Sequence, residues 1–308
     1  MRACWILLLL PVLVSADLPP EDKVKIVKLF EVPNYCEGIV FDHDGYGYIS
    51  HGQVITRFSP DGKHSTWVQM RSPNGHKVLA DGTHLVCDAG FSAVLRLDKE
   101  GKLLGQASSM CDGQPLRGPN DLTLDQQNGG FYFTDPGGSD DKKLIGTIHY
   151  VDKNGRTHLV DKGLAFPNGI VLTPDGKKLL VAESKKNRVL VYEIESPGKV
   201  GPLKVFADLP EKQGEQIDNQ PDGMCLDAEG NLYVAHYGMR QVQVLSPEGK
   251  LLRRYAGGNL TTSNVGFSGD KMNVLYITGG LGKESGGGGL FRIELEGVTG
   301  LTILPKKK

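Results

Sequence analysis

Tryptophan occurs twice and cysteine five times in 308 residues, and 35 basic against 36 acidic side chains leave a formal charge of only −1. Without a basic excess the chain lacks the electrostatic footprint of a nucleic-acid binder, so no such partner is expected. Helical periodicity is missing as well: no stretch of helix length repeats its apolar residues every 3.6 positions. Beyond residue 16 no run approaches the ~20 apolar residues of a membrane span, so no stable membrane insertion is expected. What is plentiful is glycine, 41 residues, though far short of collagen's one in three. The 39% of apolar residues exceeds what a disordered chain carries.

The first sixteen residues stand apart. Arg2 precedes an apolar run from Ala3 to Val14, and Val14-Ser15-Ala16 has the small-residue pattern of a cleavage site. Residues 1–16 therefore read as a signal peptide, and the protein as secreted or periplasmic. The run is too short to cross a ~30 Å hydrocarbon core as a helix. Its removal takes Cys4 and leaves Cys36, Cys87, Cys111 and Cys225, which allow three full pairings or remain thiols. Asn259-Leu260-Thr261 is a glycosylation sequon. Residues 17–308 contain no long polar linker and read as a single domain.

One pattern recurs six times along that domain: an opening turn, a short apolar strand, a glycine-bearing turn, then an aliphatic-aromatic strand. PNDLTLDQQNGGFYFTD from Pro119, PNGIVLTPDGKKLLVAE from Pro167 and PDGMCLDAEGNLYVAH from Pro221 show it plainly. The residue after each opening falls at 37, 74, 120, 168, 222 and 264, at intervals of 37, 46, 48, 54 and 42. Most copies continue as a second hairpin, with turns such as Ser59-Pro60-Asp61-Gly62 and Asp152-Lys153-Asn154-Gly155 that place glycine where φ is positive. Four antiparallel strands with a period in the forties is the arithmetic of a propeller blade. The fold expected is all-β, a six-bladed β-propeller. Its sixth blade takes an outer strand from the N-terminal run Lys23–Phe30, with Leu301–Leu304 as a competitor for that place.

In a propeller the innermost strand of every blade starts at the same face, so its opening residues meet around the channel. Here that ring reads Glu37, Asn74, Asn120, Asn168, Asp222 and Asn264. Pro-Asn-Gly is ordinary turn chemistry in a single copy, but Glu37 follows a cysteine and has no such explanation. Two acids brought together repel unless a cation sits between them. An oxygen-only donor set selects a hard ion, Ca²⁺ first, with Mg²⁺, Mn²⁺ or Zn²⁺ as alternatives. The second strands end in another polar ring, His51, Asp88, Asp135, Glu183 and His236, which reads as a rim around the ion. Arg117 precedes the Gly118-Pro119-Asn120 turn and offers a cation to a substrate oxygen.

Glu37-Gly38, GPNDLTLD with GGFYFTDP, FPNGIVLTPDGKKLLVAES and QPDGMCLDAEGNLYVAHYG resemble the gluconolactonase/regucalcin (senescence-marker-protein) family of calcium-bound six-bladed propellers. The resemblance spans nearly the whole of residues 17–308. It implies that Glu37, Asn120, Asn168 and Asp222 are metal ligands and that Asp222 is the catalytic base or nucleophile. Asn120, Arg117, Asp135, His236 and Asn264 are then expected on the substrate side, with His236 or Asp135 carrying protons. Two positions depart from the animal members: Arg117 stands one residue further from Asn120, and Asn264 replaces a cysteine. The activity implied is calcium-dependent opening of a lactone or similar ester, a sugar lactone such as gluconolactone in particular. Two rivals share the same residues: phosphotriester hydrolysis of the squid fluorophosphatase type, and a non-catalytic ligand-binding propeller with a structural ion. A Ser-His-Asp hydrolase is disfavoured, since the chain has no Gly-x-Ser-x-Gly elbow.

Overall fold

Each of the six repeats folds as a four-stranded antiparallel sheet in the computed structural model, which describes residues 18–282, 286–301 and 304–307. The expected signal peptide lies outside the described residues. From the channel outward, blade 1 runs from Cys36–Phe41 to His64–Gln69 and blade 2 from Pro73–Val78 to Leu103–Ser108. Blade 3 runs from Leu122–Asp125 to Thr157–Leu164, and blade 4 from Pro167–Leu172 to Lys204–Asp208 with a two-residue strand, Lys199–Val200, added beside it. Blade 5 runs from Gln220–Leu226 to Leu251–Ala256. Among the described residues the only helical pieces are two three-residue 3₁₀ turns, Glu21–Lys23 and Ser184–Lys186.

Blade 6 is assembled from both ends of the chain. Thr261–Ser268, Val274–Gly280 and Gly288–Glu294 are joined on the outside by Ile26–Val32, with Ile26 opposite Ile293 and Val32 opposite Gly288. The closing strand thus ends two residues later than its alternation suggests. The competing tail does something else. Gly300 bridges Asp227, the Leu301 amide donates to the Leu226 carbonyl, and His43 Nε2 lies 2.7 Å from the Pro305 carbonyl. The C-terminal segment therefore crosses the far face from blade 5 to blade 1. It borders a ≈ 310 Å³ cavity lined by Ile39, Phe41, Ile170, Leu172, Met224, Leu226 and Phe267.

The blades hold their turns with a recurring lock. Asp42 and Asp227, which close inner strands, accept two backbone N–H bonds each from their own turns. Their other oxygens, like that of Asp125 in blade 3, accept a buried tyrosine hydroxyl: Tyr48 to Asp42, Tyr150 to Asp125 and Tyr233 to Asp227. Hydrogen bonds to charged groups are worth about 1.5–3 kcal/mol each, so this device fixes turn and strand together.

At the opposite end, five of the six inner strands carry a register shift at their opening, between Glu37 and Val40, Pro73 and His76, Pro167 and Ile170, Pro221 and Met224, and Thr262 and Asn264. A bulge re-aims the side chain it displaces, and here it turns the ring residues inward. Glycine follows four of them because the blades meet there: a Cβ on Gly38 would collide with the Asn74 carbonyl, and one on Gly169 with that of Asp222. Hydroxyls tie the circle further. Ser50 donates to the Asn74 carbonyl, Thr134 to that of Asn168, Ser184 to that of Pro221 and Ser263 to that of Cys36, each across a blade boundary at 2.6–2.8 Å.

All four cysteines of the domain are free thiols. Cys36 is buried against the carbonyls of Gly279 and Gly289, and burial pushes its thiol up to about 12. The sequon asparagine, Asn259, is 1% exposed and donates to the Gly257 carbonyl, which leaves no room for a glycan on the folded chain.

Candidate functional site

Where the inner strands open, a cavity of ≈ 520 Å³ is lined by Glu37, Asn74, Asn120, Asn168 and Asp222 together with Tyr35, Phe166, Ser184, Lys185, Asp218, Gln220, Tyr237 and Thr261. Five of the six ring residues thus share one volume. The Tyr35 hydroxyl donates to Glu37 Oε1 at 2.6 Å and lies 3.4 Å from Asp222 Oδ2, while the Asn168 amide supports Asp222. Burial pushes the Glu37 carboxyl up to about 8, with the Tyr35 bond opposing and the charge of Asp121 adding. Asp222 is raised well above the usual carboxylate range by burial, then by the charges of Glu37 and Asp121.

These shifts describe a donor set short of positive charge. Among the described residues no three His, Cys, Asp or Glu side chains gather as a metal group. The ring holds two acids, and its remaining donors are amides, which bind hard cations through their carbonyl oxygens. Two ionised carboxylates and neighbouring amide oxygens fit one divalent ion, which removes the repulsion and desolvation that hold both proton affinities up. Soft ligands are absent from the cavity wall.

The structure places the expected rim elsewhere. Asp135 accepts the backbone N–H groups of Arg117 and Gly118 at 2.9 and 2.7 Å, holding the segment that leads into its own inner strand. Asp88 does the same for Arg71, Ser72 and Phe91, and Glu183 for Ala165 while pairing Arg188 at 2.7 Å. His236 hydrogen-bonds the Asn219 backbone, Asn187 Oδ1 and Gln243, and His51 bonds Thr56. None of the five lines the cavity. Arg117 reaches outward to the Ile145 carbonyl. Asn264 packs against Gly223 and turns Oδ1 to the Val265 amide. Arg117, Asp135, His236 and Asn264, expected on the substrate side, thus stand off the cavity wall, with their polar contacts directed to loops and neighbouring strands.

Four residues escape the repeat logic. Asp121 stands where four other blades carry glycine, and so adds a third buried carboxylate, paired with Lys77 Nζ at 3.7 Å. That substitution in the repeat was the available signal. Tyr35 lies before the first strand, outside the pattern. Phe166 adopts φ +59°, a conformation costly for an aromatic residue and concentrated at functional sites, with its amide held by Ser139. Tyr237 meets Tyr35 edge-on, with ring centres 6.1 Å apart.

Fold and site together define the class: a six-bladed propeller with an oxygen-lined cavity at one mouth of its channel. The chain belongs to the SMP-30/gluconolactonase/LRE-like family, whose model matches residues 36–280. Its relatives include lactone hydrolases and a fluorophosphatase. It is 30% identical over 224 residues to a gluconolactonase of Zymomonas mobilis, covering 68% of this chain and 62% of that one. A diisopropyl-fluorophosphatase of Loligo vulgaris is 28% identical over 242 residues, 70% of this chain and 76% of its own. The lactonase drp35 of Staphylococcus haemolyticus is 28% identical over 299 residues, 91% and 89% of the two chains. In fold the chain matches a gluconolactonase of Xanthomonas campestris (TM-score 0.76, 22% identity, 90% and 91% covered). It also matches a calcium-binding regucalcin of Agrobacterium tumefaciens (TM-score 0.73, 19% identity, 92% and 97% covered).

Proposed function

We propose that the chain is a calcium-dependent lactonase that opens a small polyhydroxylated lactone such as gluconolactone. The observation that carries this reading is the pairing of half-buried Glu37 with buried Asp222, two carboxylates of raised proton affinity, beside the amides of Asn120 and Asn168 in a cavity of ≈ 520 Å³. Those four side chains would hold the ion, with magnesium as the alternative of the same hardness. When bound, the ion supplies electrostatic stabilisation for the negative charge that grows on the ester carbonyl oxygen. The protein's own part is to orient and to move a proton. Asp222 takes the proton of the attacking water, and Asn120 and Asn168 hold the lactone against it. Around them Asn74, Asp218, Gln220 and Lys185 offer hydrogen bonds to hydroxyl groups, and Tyr35, Tyr237 and Phe166 an aromatic wall for the ring. The N-terminal segment supports a secreted or periplasmic setting.

The test is proton release from δ-gluconolactone, followed at constant pH with calcium and with a chelator. Rapid opening that vanishes with chelator and returns with calcium is expected. Spontaneous opening alone, in either condition, sinks the lactonase reading and leaves a binding propeller. The fluorophosphatase relative favours one rival, and diisopropyl fluorophosphate in the same assay separates it: turnover of that compound with an idle lactone reverses the assignment.

A further inference from the structure

Tyr35 belongs to no repeat, yet its hydroxyl is the one hydrogen-bonding group that reaches both acids of the inner ring among the described contacts. It donates to Glu37 Oε1 at 2.6 Å and stands 3.4 Å from Asp222 Oδ2, joining blade 1 to blade 5 across the channel mouth. The ring is not free to swing. Tyr237 packs against it edge-on at 6.1 Å between centres, and Gly280 lies so close that an added Cβ would come within 3.0 Å of Tyr35 Cδ2. This fixed donor holds Glu37 Oε1, and the Gly38 amide and the Ser263 hydroxyl support the same carboxylate.

We propose that Tyr35 is a positioning residue of the cation site: its hydroxyl clamps Glu37 beside Asp222 so that an arriving divalent ion meets preset ligands. The inference rests on the cation reading above but not on lactone chemistry. A phenol that orients a ligating carboxylate plays the part of the partners around metal ligands whose loss typically costs 10–100-fold in metal affinity. A neutral donor suits the position better than a lysine or arginine would, because a fixed positive charge there would compete with the ion for both acids.

The experiment is calorimetric titration of the full chain with Ca²⁺, in the absence of any substrate, for wild type, Tyr35→Phe and Tyr46→Phe. Tyr35→Phe keeps the ring and its packing, and is expected to weaken Ca²⁺ binding about 10–100-fold. Its unfolding midpoint in chelator should stay near wild type, while the rise in midpoint on adding Ca²⁺ shrinks. Tyr46→Phe removes an exposed tyrosine hydroxyl in the turn that follows the inner strand of blade 1, away from the cavity, and should bind Ca²⁺ as wild type does. Equal affinity in wild type and Tyr35→Phe overturns the assignment of Tyr35 alone. So does equal weakening in both variants, which would mean the loss is not specific to the Tyr35 hydroxyl. No Ca²⁺ binding by wild type overturns the cation site itself, a different failure. If Tyr35→Phe does not fold, Gly280→Ala, whose added Cβ would meet Thr261 Oγ1 at 2.5 Å and Tyr35 Cδ2 at 3.0 Å, shifts the ring with its hydroxyl retained, and weaker Ca²⁺ binding is expected; unchanged affinity there overturns the proposal.

Discussion

Two polar rings sit at the same end of the same six blades, and only one of them faces the cavity. The ring that opens the inner strands ends in Glu37, Asn74, Asn120, Asn168 and Asp222, whose side chains line one volume. The ring that ends the second strands contains Asp88, Asp135 and Glu183, equally acidic and more deeply buried. Its carboxylates point at backbone N–H groups, two for Asp135 and three for Asp88, and so serve as staples for the loops entering each blade. Satisfaction, not polarity, separates site from scaffold. Asp88 and Asp135 spend their oxygens on loop N–H groups, whereas Glu37 and Asp222, supported by Gly38, Ser263, Tyr35 and Asn168, also meet across a cavity where their charges add.

The widest gap between the rings should appear on exchanging their acids. Asp222→Asn or Glu37→Gln is expected to lower lactone opening about 10²–10³-fold, the usual loss when a group that stabilises transition-state charge is removed. Either change should also raise thermal stability in chelator, because it removes one of two repelling buried charges. A variant that keeps full activity would erase the distinction. Asp88→Ala should do the reverse. It strands three backbone donors at about 1–3 kcal/mol for each group left buried and unpaired, with Asp135→Ala smaller since it strands two. Chemical denaturation reads that loss, and the kcat of the folded fraction should hold; a kcat that falls with stability intact would move these acids into the site.

The smallest effect is on pH. Glu37 binds its proton more tightly in the fold, up to about 8, than in the unfolded chain, where the ordinary value is 4.5. The ion-free fold therefore keeps full stability below the unfolded value and loses it as pH rises towards 8. Asp222 acts in the same direction, and Asp121 and Asp135, raised mainly by burial, add to the slope. Calcium should abolish only the part due to Glu37 and Asp222. Melting curves from pH 5 to 8 with chelator and with calcium measure that part as a difference. Identical slopes would show that the two acids do not share an ion.

Much of this was legible before any coordinates. Turn sequences such as Pro119-Asn120-Asp121 and the period-two alternation are local, and six copies of them fix strand count, blade order and the membership of the inner ring. Blade closure by the N-terminal strand was legible too, because Lys23–Phe30 alternates as a strand, though the paired residues are Ile26–Val32. The direction of the second ring is not legible in sequence, for a physical reason. A strand-end acid looks the same in sequence whether it faces a cavity or a loop, and the donors that occupy Asp135 come from Arg117 and Gly118, on a segment whose path the sequence does not show. Tyr35 was hidden because its partners, Glu37 and Asp222, come from blades 1 and 5. Asp121 was hidden because its role depends on Lys77 arriving from blade 2.

By itself, then, the sequence determined the propeller and its inner circle of acids and amides, since propensity, turn chemistry and repeat spacing act over a few residues. The tertiary structure alone decided which polar groups were left without backbone partners, how Lys77 and Tyr35 met the buried carboxylates, and where the C-terminal tail ran. Those outcomes depend on distances between blades, and a distance across the channel is set only when the ring closes.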